Sequence, residues 1–323
     1  MRVSQLEEVL FPVEEHPVYV AVQGPSGERR LPAPHKKAIV DTASHRVLGI
    51  VSRDYLLVTN REALEWAYEC CRHVFPDTER AEWEVRQTDG PSTAGYCRID
   101  LVHRTAALDF GDVRPLRRPE AFGPFIRVTN SYNASRALAF DIGFYRKVCR
   151  NGLIAPDTIV QFSFAHRRNL NVDIHFEVAR DRLATLQTEM SEQFASLKTC
   201  KVPRTAFEPI VRSALMIQPL KSTKPDTREA HEWASLDAHI QGVCNRYASE
   251  LGETGYAVLN AITDLASHPP RNAHLHRERH GLQRLAGTWL TTFAHDCAEP
   301  GFAIDTYLRE PETSEAPGVL VTA

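Results

Sequence analysis

The residues in this chain best suited to chemistry lie in Ile126–Arg136 and in the segment Phe144–Ile154 that follows it. The order is an apolar strand, the turn Asn130-Ser-Tyr-Asn-Ala-Ser135, a second apolar strand, and a basic segment that stops at Asn151-Gly152. Phosphate oxygens are contacted by arginine, serine and asparagine side chains and by backbone amides. Unstacked bases take an aromatic face. The pattern therefore predicts a surface for an anion or a polynucleotide, in which Arg127, Arg136, Arg146 and Arg150 hold phosphates. Asn130, Ser131, Asn133 and Asn151 would add hydrogen bonds, and Tyr132 would stack. Over residues 111–152 eight basic residues stand against three acidic ones, a surplus of five in a chain of net charge −3. The plainer alternative is a solvated face with ordinary ion pairs.

Other groups carry less. His268, His274, His276 and His280 have spacing that could place two imidazoles on a metal. Arg271, Arg277 and Arg279 in the same stretch would repel a cation, so a polar helix entrance is the better reading and no metal or cofactor is expected. Asp109-Phe-Gly111 lacks the other kinase elements, and Gly24-Pro-Ser-Gly27 lacks the Gly-Lys-Ser/Thr of a phosphate loop. His166, with Arg167, Arg168 and Asn169, reads as a structural polar loop, and Cys149 as a buried thiol. No catalytic residue is assigned.

The elements that must position these groups follow from periodicity. Residues 1–36 are rich in turn formers and predict an irregular arm with a short hairpin. Residues 37–178 read as a β-rich α+β domain with an amphipathic helix at 61–75 capped by Asn60. Its antiparallel strands alternate around Trp83–Val85, Cys97–Leu101, Phe125–Val128, Val160–Phe164 and Val172–Phe176. From 179 to 298 four apolar stripes at helical spacing predict a helical region, and 299–323 an acidic flexible tail. Strands followed by helices give an α+β class, with the antiparallel sheet in the N-terminal half and a mostly helical C-terminal half. Seven scattered cysteines without a Cys-x-x-Cys pair suit reduced thiols. With no signal-peptide pattern and no apolar run of about 18 residues, the expectation is a cytoplasmic protein that does not meet a membrane.

Several of these segments together resemble DUF932, a family of uncharacterised phage- or plasmid-like proteins. The likeness is carried by Leu48-Gly-Ile-Val-Ser-Arg-Asp-Tyr55 with Thr59-Asn60, by Asn130–Ser135, and by Arg146-Lys-Val-Cys-Arg-Asn-Gly-Leu153. His166, Asn260-Ala-Ile-Thr263, His268 and Gly287 complete it, over about residues 38–295. The resemblance implies a mobile-element setting and no known reaction. The order of elements also resembles that of single-strand annealing proteins of recombination, an analogy of fold only. The expected function is a nucleic-acid-binding protein acting in recombination or host–element conflict, with single-stranded DNA the favoured partner and a second copy of the chain, in a homo-oligomer, as another. The alternatives are an enzyme acting on nucleic acid or a nucleotide through the same phosphate-binding turns, and a protein-interaction module.

Overall fold

The structure, a computed structural model, describes residues 6–25, 27–105, 108–109, 121–146, 152–154, 161–167, 173–218, 227–272, 275, 277–299, 302 and 304. It is α+β, with antiparallel sheets mostly in the N-terminal half and helices mostly in the C-terminal half. The chain divides into two compact units. The first comprises Met1–Leu108, Phe122–Tyr145 and Ala155–Thr188, and the second Asp109–Ala121, Arg146–Ile154 and Glu189–Ala323.

The first unit begins with a three-stranded sheet of β1 (Val13–Gly24), β2 (Gly27–Asp41) and β3 (Arg46–Ser52), in that order. In place of the expected irregular arm with a short hairpin there is one long hairpin, its register shifting between Pro17 and Tyr19, closed by Gly24 opposite Gly27, which takes φ +108. Its prolines are tolerated because β1 is an edge strand and pairing between β2 and β3 begins only at Lys36. Helix α1 (Asn60–Val74) follows. Its cap is Thr59 rather than Asn60. The Thr59 hydroxyl accepts from the Glu62 amide at 3.1 Å, and the Glu62 carboxylate accepts from the Thr59 amide at 2.7 Å. This reciprocal box satisfies two amides that a helix start otherwise leaves unpaired. Ala63, Leu64, Ala67, Cys70, Cys71 and Val74 form the buried face.

The main path of a sheet of seven described strands runs through β4 (Trp83–Asp89), β5 (Tyr96–His103), β6 (Ala121–Ser131), β7 (Leu138–Arg146) and β8 (Gln161–Phe164). Along its path the order is β8-β7-β6-β5-β4. Alternation in β5 suggests one wet face, yet Arg98, Asp100 and His103 are buried along with Cys97, Ile99 and Leu101. Both faces of this strand are covered, so its polar residues need partners inside the protein. The strand expected over Val172–Phe176 is instead the start of helix α2 (Asp173–Thr199). Phe176 and Ala179, three residues apart, are both fully buried, and Phe176 packs among Phe140 and Phe162. Short alternating runs fit either period, and here the helix that follows extends backwards over this one.

The second unit is helical: α3 (Arg204–Ala214), α4 (Arg228–Leu251), α5 (Gly255–Ser267) and α6 (Arg279–Ala298), with the last part of α2. The stripe Trp233, Leu236, Ile240, Val243, Tyr247 and Leu251 is buried as its spacing predicts. Thr227 and Thr254 cap α4 and α5, and Gly252 ends α4 at φ +79, a conformation that favours glycine. Helix α5 is the centre. It touches α3, α4 and α6, and nearly every residue from Gly255 to Ala266 is buried. Helix α3 was not expected from the sequence.

Candidate functional site

The structure separates the expected site residues into a buried frame and a solvent-facing remainder. Arg127 belongs to the frame: it is fully buried, and its guanidinium meets both oxygens of Asp100, at 2.6 and 2.7 Å. Tyr145 donates to the same carboxylate at 2.8 Å. Burial works against the Arg127 charge, but the Asp100 carboxylate and its hydrogen bonds outweigh that cost and hold the cation firmly protonated. In this fold the Arg127 charge faces carboxylate, so its expected role with phosphate is withdrawn.

Three further residues are also internal. Asn130 donates to the Val58 carbonyl and to Asn60 Oδ1, both at 2.9 Å. Tyr132 is 1% exposed, and its hydroxyl accepts from the Asn60 amide at 2.8 Å, so no face is open for a base. Ser131 is fully buried; its hydroxyl donates to the Arg136 carbonyl at 2.8 Å, and its own carbonyl accepts from Tyr55 at 2.5 Å. Together these bonds tie the end of β6 to the start of α1. The Asn130 amide nitrogen and the Tyr132 hydroxyl therefore hold the fold, while Asn130 Oδ1 is buried without a hydrogen-bond partner.

The rest of the turn faces solvent. Asn133 Oδ1 accepts from the Ser135 amide at 3.0 Å, and Ala134 adopts φ +58. Gly49 and Gly95 leave room for Asn133: a Cβ on Gly49 would come within 2.5 Å of the Asn133 Cα. Arg136 is exposed and lies over the Tyr96 ring, 5.1 Å from its centroid. Arg146 ends strand β7. Arg150 and Asn151 lie outside the described residues. Gly152 belongs to the second unit, where its amide donates to the Ser267 hydroxyl at 2.8 Å. The turn Asn130–Ser135 belongs to the first.

Arg136 opens onto a cleft of about 800 Å³ in the first unit, lined by Ser52, Asp54, Tyr55, Ser135, His166 and Arg167 among others. Its floor is made by two stacked rings, Tyr55 and His166, 4.6 Å apart and inclined by 17°. The Tyr55 hydroxyl is anchored on Ser131, and burial pushes it up to about 12. His166 Nδ1 lies 3.1 Å from the Leu56 carbonyl. A carbonyl can only accept, so Nδ1 carries the proton and Nε2 keeps a lone pair. Nε2 is buried with no hydrogen-bond partner. Burial lowers the imidazole below its ordinary value, partly offset by the bond to Leu56, and keeps the ring neutral.

Around this floor the charge is mostly positive. Arg136 and Arg167 are exposed, and among the described residues neither has a carboxylate within ion-pair distance. A second depression of about 450 Å³ is lined by Lys36, Lys37 and Arg53. Lys37 is neutralised by Glu15 at 2.7 Å, whereas Lys36 and Arg53 have no such partner among the described residues. Arg53 sits in the chain between Ser52 and Asp54 of the first cleft. Sequence reasoning missed Lys36, Arg53 and Arg167 because they come from three separate segments. The Arg167 signal, a basic pair after a strand, was visible but read as structural. Among the described residues no group of three or more histidine, cysteine or acidic side chains could hold a metal. None of the helices, so far as described, is long and apolar enough to cross a membrane.

A family model, domain of unknown function DUF932, matches residues 47–289. The chain belongs to that family. Comparison with curated proteins and with solved structures found no match. The matched span contains the cleft's Ser52, Tyr55, Arg136, His166 and Arg167, as well as the Arg127–Asp100 pair.

Proposed function

We propose that this protein binds single-stranded nucleic acid through the cleft that carries Arg136 and Arg167, extended by Arg53 and Lys36. The observation behind the proposal is four exposed cations without carboxylate partners among the described residues, in a chain whose overall charge is −3. Unpaired cations keep their charge for an external anion, and Ser52 and Ser135 bring hydroxyls suited to phosphate oxygens. The one aromatic ring of the described lining other than His166 is Tyr55, which His166 covers. Binding would therefore run through the sugar–phosphate chain with little preference for sequence.

The test is fluorescence anisotropy with labelled single-stranded oligonucleotides at several salt concentrations. Each phosphate neutralised should contribute a slope of about −0.7 in log K against log salt. Replacing Arg136 and Arg167 together by alanine should reduce that slope by about 1.4 and weaken binding. Absence of binding at low salt, or an unchanged slope in the double variant, refutes the assignment. A second reading, an enzyme acting on nucleic acid or a nucleotide with His166 as general base, draws on the lone pair of the buried Nε2. Running the same oligonucleotides on a gel after incubation separates the two: intact length supports binding alone.

A further inference from the structure

We propose that Cys200 and Cys297 form an oxidation site, joined as an intramolecular disulfide when the protein meets a hydroperoxide. The two sulfurs are 2.9 Å apart, with the Cys297 thiol donating to Cys200, although 97 positions separate them in sequence. Both are partly exposed. Cys70, Cys71, Cys97 and Cys244 are buried, at 0%, 2%, 5% and 5% exposure, and burial pushes their thiols upward, away from the reactive thiolate. Selectivity among the described thiols therefore follows from access and ionisation together.

The surroundings hold the pair in place. Cys200 immediately follows α2, and its amide donates to Ser196 at 3.0 Å. Its carbonyl accepts from Gly255 at the start of α5, also at 3.0 Å. Ser196 in turn donates to the Ala294 carbonyl of α6 at 3.3 Å, one turn before Cys297. A Cβ at Gly255 would meet the Phe293 and Leu197 side chains at 3.0 and 3.1 Å and the Leu197 carbonyl at 3.3 Å, so the start of α5 packs closely on both helices.

The pair is also asymmetric. The hydrogen bond from Cys297 lowers Cys200 below the ordinary thiol value, against the opposing effect of burial. The same bond raises Cys297, and burial, the Cys200 charge and the Asp296 carboxylate raise it further. Cys200 is therefore the first nucleophile. Its thiolate attacks a peroxide oxygen, the O–O bond breaks, and the leaving hydroxide takes a proton to become water. The sulfur of Cys297 then attacks the sulfenic acid on Cys200. The S–S bond forms, the S–O bond breaks, and the departing hydroxide takes the Cys297 proton. Two thiols and one hydrogen peroxide give one disulfide and two waters, the pair supplying both electrons.

The test treats the full-length reduced protein with stoichiometric hydrogen peroxide, then counts thiols after denaturation and maps peptides without reductant. The expected result is a drop from seven thiols to five, and one linked peptide pair containing Cys200 and Cys297. The melting temperature should rise and return on adding dithiothreitol, because the link closes a long loop. The variant Cys297→Ser should stop at a sulfenic acid on Cys200 that dimedone traps, whereas Cys200→Ser should give no trapped product at Cys297. Cys149→Ser should still form the link. Oxidation that leaves Cys200 and Cys297 unlinked, a link through another cysteine, or seven surviving thiols overturns the proposal.

Discussion

Replacing Asp100 by asparagine keeps the shape of the side chain but removes the charge facing Arg127. Arg127 is fully buried and Asp100 is 1% exposed, so water cannot replace the lost partner. Breaking a buried pair in this way typically costs about 3–5 kcal/mol, because one charge is left uncompensated. The buried Asp141 carboxylate also supports the Arg127 cation, which places the expected loss near the lower end, about 3 kcal/mol. Set against a typical stability of about 5–15 kcal/mol, that is a large share. With a urea slope of about 2 kcal/mol/M the midpoint should fall by about 1.5 M. Hydrogen exchange across 96–103 and 121–131 should locate the loss in β5 and β6. Replacing both partners by apolar residues, Asp100→Leu with Arg127→Met, should recover most of the stability. The reasoning fails if Asp100→Asn costs under about 1 kcal/mol, or if the double variant is as unstable as the sum of the singles.

Thr59→Ala removes the hydroxyl half of the α1 capping box and should cost about 1 kcal/mol, read as a lower melting temperature with unchanged helicity by circular dichroism. His166 should make stability sensitive to acid. Its folded-state pKa is lowered, so the unfolded chain binds the proton first, and stability present above about pH 6.5 declines as pH falls towards the folded value. Urea melts at pH 7.5 and 5.5 should show a smaller difference in His166→Asn than in the parent, and an equal difference would remove the argument.

The long stripes were legible because burial of a whole helix face requires a repeat that chance rarely supplies. Leu236, Ile240, Val243 and Tyr247 are buried on one face as their spacing predicts. Helix α3 was hidden by Pro209, which reads as a breaker although it lies inside the helix. The hairpin of β1 and β2 was expected, but its full length was hidden by its prolines. At the candidate site the turn was read as facing a ligand, whereas Asn130, Ser131 and Tyr132 are buried. Polar side chains at a strand end can face a ligand or satisfy buried backbone, and composition does not distinguish these. Asn130, Ser131 and Tyr132 satisfy groups from Tyr55 to Asn60, some seventy residues earlier in the chain. Among the described residues only Arg136 of the expected site carries over directly to the cleft.

The family match begins at residue 47, one residue into β3, yet the small core beneath the first sheet ignores that boundary. Ile39 is fully buried against Leu48, Val51, Tyr55 and Tyr132, and Phe11 and Val13 pack on the same cluster. A chain cut at the family boundary would strip β3 of its partner strand and uncover Leu48 and Val51, each worth about 1.5–3 kcal/mol when buried. It would also remove the Val9 carbonyl that accepts from Asn60. The strands before residue 47 thus supply one wall of a core that the matched span cannot close by itself, and a chain starting there should be less stable than the full one.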